Sequence, residues 1–208
     1  DLPERLREQA AGDAQRVNPA LSPSAVNKAL QAKTGLKGDL FLGTGPFGDM
    51  YVNRSLTAAQ KAQVLSEARA LYLASPQVQT VFTKAELAAA PEPSGPPESW
   101  SLLTEAKASF DPERSGDLVV LLKPRVTPIA DGGAGYVATH GSPWDYDRRV
   151  PMLFWRKGMT HMEQPMGVET VDILPTLAAQ IGLALPASGI DGKCLDLDPT
   201  AASSCPAK

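Results

Sequence analysis

Residues 117–122 read Asp117-Leu118-Val119-Val120-Leu121-Leu122, an unbroken run of β-favouring apolar residues after one acid. Such a run is typical of a strand that is buried on both faces of a sheet. Residues 150–155 form a second apolar run and predict a second buried strand. The two runs together predict a sheet in the second half of the chain.

Helical patterns alternate with these strands. Ser22 can cap a helix and Pro23 suits its first position, so we expect a helix from here to Gly35. Thr57 is expected to cap a second helix, whose apolar residues have helical spacing: Val64, Leu65, Ala68, Leu71 and Tyr72. Shorter elements are predicted as strands at 40–42, 50–52 and 78–82 and as helices at 84–89 and 100–108. The alternation predicts the α/β class.

A last helix is predicted to begin at Asp172, which is expected to cap it. Pro175 falls in the first turn, where proline is tolerated, and Gly182 follows the predicted end. Leu177, Ala178 and Ile181 give this helix an apolar face.

Composition bounds the function. The chain has 208 residues, of which 43% are hydrophobic, and this is enough for one sizeable core. The net charge of −3 and the scattered Lys and Arg residues give no indication of nucleic-acid-specific binding. No apolar run approaches the roughly 18 residues of a membrane-spanning helix. No leader pattern occurs at Asp1, so we expect any signal peptide to be already removed.

The two cysteines, Cys194 and Cys205, flank a short, polar, turn-rich segment. A disulfide between them would hold down a tail that otherwise frays, and it would favour a periplasmic or secreted location. The alternative is two free thiols in a cytosolic protein. The disulfide is the preferred interpretation, because a mobile polar tail is a poor place to bury a free thiol.

One of the two histidines, His140, lies just after a short β-like run at residues 136–139 and directly before Gly141. A histidine at a strand end beside glycine is often aimed at a metal ion. The alternative is a structural histidine bonded to the carboxylate of Asp145 or Asp147. The other histidine, His161, lies in an amphipathic mixture of residues and is expected at the surface.

The charged residues after His140 permit two interpretations. Asp145, Asp147, Arg148 and Arg149 could form an acid/base pair with a phosphate clamp. We prefer the second interpretation, in which opposite charges pair locally and brace the backbone behind His140. The glycine-rich stretch at residues 131–135 lacks the spacing of a phosphate-cradling loop and is expected to be a turn.

Three stretches resemble one known family. Residues 139–151, Thr139-His140-Gly141-Ser142-Pro143-Trp144-Asp145-Tyr146-Asp147-Arg148-Arg149-Val150-Pro151, resemble a segment of the alkaline phosphatase superfamily. The nearest resemblance is to the branch of monomeric bacterial alkaline phosphatases related to nucleotide pyrophosphatases/phosphodiesterases. Residues 167–177 resemble the helix start near the C-terminus of these enzymes and of sulfatases, and residues 190–193 resemble the short segment that follows it.

This resemblance implies a three-layer sandwich with a central, mostly parallel sheet and two zinc ions at the carboxyl ends of its strands. By motif match His140 would be one zinc ligand. The other ligands in the family, including an Asp-His pair, lie earlier in the chain, as does the Thr or Ser nucleophile. Residues 1–5 resemble the segment that follows that pair. No Asp-His pair occurs here, and a catalytic zinc takes three protein ligands.

The resemblance therefore implies one incomplete domain, the C-terminal half of a larger enzyme. We expect residues 1–116 to include an insertion or cap region and residues 117–208 to form the sheet core that bears His140. No catalytic residue is expected within the chain. Its expected partners are a phosphate ester substrate and the missing N-terminal half, and the segment alone is expected to be inactive.

The implied function is zinc-dependent hydrolysis of phosphate monoesters through a covalent phospho-Thr or phospho-Ser intermediate. A phosphodiesterase or a sulfatase of the same superfamily is the first alternative, and the nucleophile would distinguish them. A non-catalytic binding or scaffold domain is the second alternative, and zinc content would separate it from an enzyme.

Overall fold

The structure is a computed structural model, and it describes residues 14–133, 135, 137–198 and 203–206. Predictions that fall on residues 1–5 and on Tyr136 lie outside this part. The described helices are α1 (Pro23–Thr34), α2 (Ala58–Leu73), α3 (Lys84–Ala89), α4 (Leu102–Ala108), α5 (Asp145–Arg148) and α6 (Ile173–Gln180). The described strands are β1 (Gln15–Arg16), β2 (Phe41–Gly43), β3 (Gly48–Val52), β4 (Val78–Thr83), β5 (Leu118–Leu122) and β6 (Val126–Thr127).

The larger sheet has four strands in the order β2-β3-β5-β4, and each neighbouring pair is antiparallel. Strand β5 is the predicted 117–122 run, and it lies between β3 and β4 with four of its five side chains buried. Strands β1 and β6 pair in parallel as a separate two-stranded sheet. The α/β class is confirmed. Among the described strands, only the β1–β6 pair has the parallel direction that the family resemblance implies for the central sheet.

The predicted helix caps are local features, and the structure contains them. The Ser22 hydroxyl accepts the Ala25 N–H at 3.3 Å at the start of α1, and Gly35 ends this helix with a φ of 72°. Thr57 and Gln60 form a capping box at the start of α2. Such caps satisfy backbone N–H groups that have no partner within the helix.

The core lies between the four-stranded sheet and helices α1 and α2. Strand β5 contributes Leu118, Val120 and Leu122, and α2 contributes Val64, Ala68 and Tyr72, all of them buried. The spacing of the α2 residues is the spacing that predicted this helix from the sequence. Burial also raises the pKa of the Tyr72 hydroxyl well above its ordinary value, because the phenolate would lose its hydration.

The chain divides into two compact units. The first contains the residues up to Pro93 and Ser101–Arg149, and the second contains Ser94–Trp100 and Val150–Lys208. None of the described helices is long and apolar enough to cross a membrane. The division of the domain at residue 117 stays a prediction.

The predicted strand at residues 150–155 is wrong. The segment has no regular secondary structure, and Val150, Leu153 and Trp155 are 66%, 90% and 84% exposed. Apolar composition favours burial only where a partner strand or helix covers the segment, and no described strand pairs with it. Pro151 also lacks the N–H group that a central strand needs. The β-like run before His140 likewise has no strand at residues 137–139.

Candidate metal-binding loop

His140 lies in an exposed loop of the first unit, after β6. No hydrogen bond to its imidazole ring is present within the described part of the chain. The alternative interpretation, in which the ring is bonded to the carboxylate of Asp145 or Asp147, is therefore not supported. The next residue, Gly141, has a φ of 99° and open space around the position of a Cβ atom. Only glycine adopts this backbone conformation without strain, so the chain turns sharply just after the histidine.

A short helical turn braces the backbone behind His140. The carboxylate of Asp147 accepts the Ser142 N–H at 2.7 Å, two residues after the histidine. Asp147 itself lies in α5, where the Trp144 carbonyl accepts the N–H groups of Asp147 and Arg148 at 2.9 and 3.0 Å. The loop therefore closes back on its own helix. Asp147 braces the backbone behind His140 as predicted, but it does so through a backbone N–H and not through a paired opposite charge.

Two aromatic side chains join this loop to the rest of the first unit. The indole N–H of Trp144 donates to the carbonyl of Leu122, the last residue of β5, at 3.1 Å. The Tyr146 hydroxyl accepts the backbone N–H of Arg125 at 2.9 Å. Arg125 has a φ of 61°, which is uncommon for a residue with a side chain. The buried strand and the turn after it thus fix both sides of α5.

Four contacts anchor this loop. Three are made by Asp147, Trp144 and Tyr146. The fourth is an ion pair between Arg148 in α5 and Glu105 in α4. The guanidinium Nη1 contacts Glu105 Oε1 directly, and it lies 3.9 Å from a carboxylate oxygen of Asp145. The two side chains are largely buried, with 23% of Arg148 and 11% of Glu105 exposed. Burial raises the pKa of Glu105, Arg148 opposes this by lowering it, and the nearby Asp145 raises it further.

The acid/base interpretation gains no support from this geometry. Arg148 is occupied by Glu105, and Asp147 holds a backbone N–H. Arg149 is exposed, and its N–H donates to the Asp145 carbonyl at 2.8 Å. These residues support the loop, and a direct role toward a substrate is not apparent in their contacts.

Zinc fits His140 as one ligand only. An exposed imidazole that no described side chain or backbone group bonds is a suitable nitrogen donor. A structural or catalytic zinc takes three or four protein ligands. Over residues 14–133, 135, 137–198 and 203–206, no group of three or more His, Cys, Asp or Glu side chains is arranged to hold a metal ion. A metal ion at His140 would need further ligands from outside the described residues.

The two other family-like stretches meet in the second unit. Asp172 is 1% exposed, and its carboxylate accepts the Glu169 N–H at 3.0 Å and the Lys193 N–H at 2.8 Å. Asp172 occupies the N-cap position of α6, as predicted, but its side chain makes no hydrogen bond to that helix. The carboxylate joins residues 167–177 to residues 190–193 instead.

Thr176 and Gly192 complete this joint. The Thr176 hydroxyl is fully buried, donates to the Asp172 carbonyl at 2.6 Å and accepts the Leu195 N–H at 2.9 Å. A Cβ atom at Gly192 would lie 2.0 Å from the carbonyl oxygen of Val171, so only glycine lets the two segments approach this closely. The two stretches therefore form one structural joint.

The predicted disulfide is confirmed. Cys194 and Cys205 are bonded, with their Cα atoms 5.8 Å apart. Asp196 binds the returning tail: its carboxylate accepts the backbone N–H and the hydroxyl of Ser204, each at 2.9 Å, and the Asp198 N–H at 3.0 Å. These hydrogen bonds, with that from the Ser204 backbone the strongest, lower the pKa of Asp196 to about 2.

The remaining predicted residues have ordinary surroundings. The side chain of His161 is 86% exposed and lies 4.0 Å from a carboxylate oxygen of Glu163, as expected for a surface histidine. In the glycine-rich stretch, Asp131 accepts the Gly133 N–H at 2.9 Å, which is a local turn contact; Ala134 lies outside the described residues.

Sequence reasoning missed Glu105 and Trp144. Glu105 lies 43 residues before Arg148, and no periodicity or motif relates the two positions. Trp144 belongs to the His140 loop, but its partner is the backbone carbonyl of Leu122. Every residue has such a carbonyl, so the sequence gives no signal for this contact. The only available indication was an acidic residue on the otherwise amphipathic helix 100–108.

The curated relatives that match this chain are both alkaline phosphatases. The chain matches no protein-family model. It is 61% identical over 207 residues to alkaline phosphatase PhoK of a Sphingomonas species, and 52% identical over 210 residues to alkaline phosphatase PhoD of Zymomonas mobilis. These matches cover 99% and 100% of this chain but only 37% and 36% of the relatives, so the chain spans little more than a third of their length.

Solved structures give the same fold. The crystal structure of wild-type alkaline phosphatase PafA matches 91% of this chain, and 34% of its own, with a TM-score of 0.71 at 20% sequence identity. A mutant of the same enzyme matches with a TM-score of 0.68 at 21% identity. At these identities the likeness is one of fold.

Proposed function

We propose, on the premise that this chain belongs to the alkaline phosphatase superfamily as a C-terminal segment of such an enzyme, that the whole protein is a zinc-dependent phosphate monoester hydrolase. The observation that carries the proposal is the 61% identity to alkaline phosphatase PhoK over nearly the whole chain. The match covers 99% of the chain, so the aligned region includes the His140 loop and the Asp172 joint.

In this proposal His140 is one ligand of one of two zinc ions. Its exposed ring supports this role, and so does its mounting: the chain turns at Gly141, and Asp147 holds the Ser142 N–H behind it. As a ligand the imidazole is neutral, with one nitrogen deprotonated for the metal. Zinc would supply activation of the nucleophilic hydroxyl and stabilisation of the leaving oxygen.

The other parts of the proposed site belong to the missing N-terminal part of the enzyme. They are the remaining zinc ligands and a Thr or Ser nucleophile, which forms a covalent phospho-enzyme intermediate. We propose a periplasmic or secreted location, because the disulfide between Cys194 and Cys205 persists in an oxidising compartment.

The test uses the full-length protein with His140→Ala and, as the matched control, His161→Ala. We expect His140→Ala to lose bound zinc and to lower turnover of an aryl phosphate by more than the ~10–100-fold that is typical when a residue behind a ligand is changed. Among the described residues, the exposed His161 lies 4.0 Å from Glu163 and makes no closer ion pair, so its variant is expected to keep both zinc and turnover. Full zinc content and normal turnover in His140→Ala would remove this residue from the site.

The same preparation separates the alternatives. Turnover is compared on an aryl phosphate monoester, a bis-aryl phosphate diester and an aryl sulfate. A preference for the monoester is expected; a preference for the diester or the sulfate would reassign the enzyme within its superfamily. A full-length protein that binds no zinc and turns over none of the three would be a binding or scaffold protein.

A further inference from the structure

The Glu105–Arg148 ion pair is the only anchor of the His140 loop, among the described contacts, in which both partners are side chains. It joins α4 to α5 across 43 residues of sequence. The other three anchors use a backbone atom as one partner: Leu122, Arg125 and Ser142.

The pair is a costly way to hold two helices together. Glu105 and Arg148 retain only 11% and 23% of their side-chain exposure, and burial raises the pKa of Glu105 although Arg148 opposes it. The second carboxylate oxygen, Glu105 Oε2, is buried without a hydrogen-bond partner among the described residues. Buried ion pairs of this kind add little to stability over an apolar pair, because desolvation offsets their attraction.

The pair does supply direction. A carboxylate and a guanidinium meet in a restricted geometry, so they fix the orientation of α5 as well as its distance from α4. Asp147 precedes Arg148 in this helix and binds the Ser142 N–H at 2.7 Å. An unbroken series of contacts therefore runs from Glu105 through α5 to the backbone two residues after His140.

We propose that Glu105 is a positioning residue for the metal-binding histidine: by holding Arg148 it sets the orientation of α5, and thereby the place of the His140 imidazole. The inference rests on the proposed role of His140 as a zinc ligand. Residues that orient a ligand without touching the metal affect metal affinity, and their loss typically costs ~10–100-fold.

The experiment measures zinc affinity of the full-length protein by competition with a chromophoric chelator, together with the thermal unfolding midpoint. Glu105→Ala removes the anchor, whereas Glu105→Gln keeps an oxygen that accepts a hydrogen bond from Arg148. We expect Glu105→Ala to weaken zinc binding by about tenfold, at the low end of the range for such residues. We expect Glu105→Gln to restore affinity to within about threefold of the original protein, since geometry is retained.

A matched control comes from a second Arg–Glu pair in the same unit. Arg69 binds Glu86 at 2.9 Å, with both side chains more than a third exposed, and neither residue contacts the His140 loop in the described interactions. Glu86 also caps α3, so Glu86→Ala is expected to lower the unfolding midpoint and leave zinc affinity unchanged.

Arg148→Lys decides the matter if Glu105→Ala does not fold, because it keeps the charge and loses the planar fork. A weakened zinc affinity in Arg148→Lys supports the proposal. Unchanged zinc affinity in a folded Glu105→Ala or Arg148→Lys protein overturns it, even if the unfolding midpoint falls. These outcomes are distinct from failure of the proposed function, which His140→Ala reveals by retaining zinc itself.

Discussion

Asp172→Asn should open the joint between the two family-like stretches of the second unit without disturbing α6. The Asp172 side chain is 1% exposed and accepts two backbone N–H groups, from Glu169 and Lys193. Asparagine has the same shape but only one acceptor oxygen, so one N–H faces an NH2 group and stays unpaired in a buried place. Loss of one hydrogen bond to a charged acceptor costs about 2–3 kcal/mol.

Backbone hydrogen exchange, followed by mass spectrometry of the full-length protein, measures this effect where it arises. A cost of about 2–3 kcal/mol corresponds to exchange that is about 30- to 150-fold faster for the segment containing Lys193 and Leu195. Thr170→Val is the matched control, because Thr170 is exposed in the same stretch and takes no part in the joint. Unchanged exchange around Lys193, or equal acceleration over the whole chain, would show that the Asp172 carboxylate does not hold the joint together.

Three further outcomes are expected. Gly141→Ala should destabilise the His140 loop by about 1–2 kcal/mol, because a φ of 99° strains any side-chain-bearing residue; faster exchange confined to the loop checks this, and none contradicts it. Asp196 should titrate near pH 2 by carboxyl NMR. Its contribution to folding stability should be complete above its ordinary pKa and should be lost as the pH falls through about 2. A titration midpoint at the model-peptide value of ~3.9 would contradict this lowered pKa. Replacing Cys194 and Cys205 by serine should release the tail to proteolysis, with about 2.5–3 kcal/mol lost in a chain-entropy treatment; equal protease resistance of both forms would contradict this.

The helices and the buried strand could be predicted because their determinants are local. Ser22, Thr57 and Gly35 mark helix ends through contacts within a few residues, and the structure contains all three. The run at 117–122 is apolar and β-favouring throughout, and four of the five side chains of β5 are buried. The resemblance to alkaline phosphatases was also predictable, and it is confirmed by relatives of that name at 52–61% identity.

Features that depend on distant partners could not be predicted. The run at 150–155 is as apolar as 117–122, yet it is exposed, because burial requires a covering element that composition does not specify. The bonding of Asp172 to Lys193, 21 residues later, has no pattern in the sequence either. The same holds for the partner of Arg148. Helix caps and strands depend on residues that are close in sequence, whereas pairs of distant residues form only when the chain is folded.

The anchors of the His140 loop have unequal tolerance to evolutionary change. A main-chain carbonyl is the same whichever side chain is present, and a main-chain N–H is the same in every residue except proline. Positions 122, 125 and 142 can therefore change residue, proline excepted at 125 and 142, and still offer the same partner atom to Trp144, Tyr146 and Asp147. Most of the side chains that hold this loop in place therefore belong to the loop itself, and the residues that offer backbone partners can be substituted more easily.

Positions 105 and 148 are the exception, since each needs a particular side chain at the other. A substitution that removes the hydrogen-bonding group at one position is expected to require a compensating change at the other. The two positions should therefore covary among relatives, whereas positions 122 and 125 should vary independently of the loop.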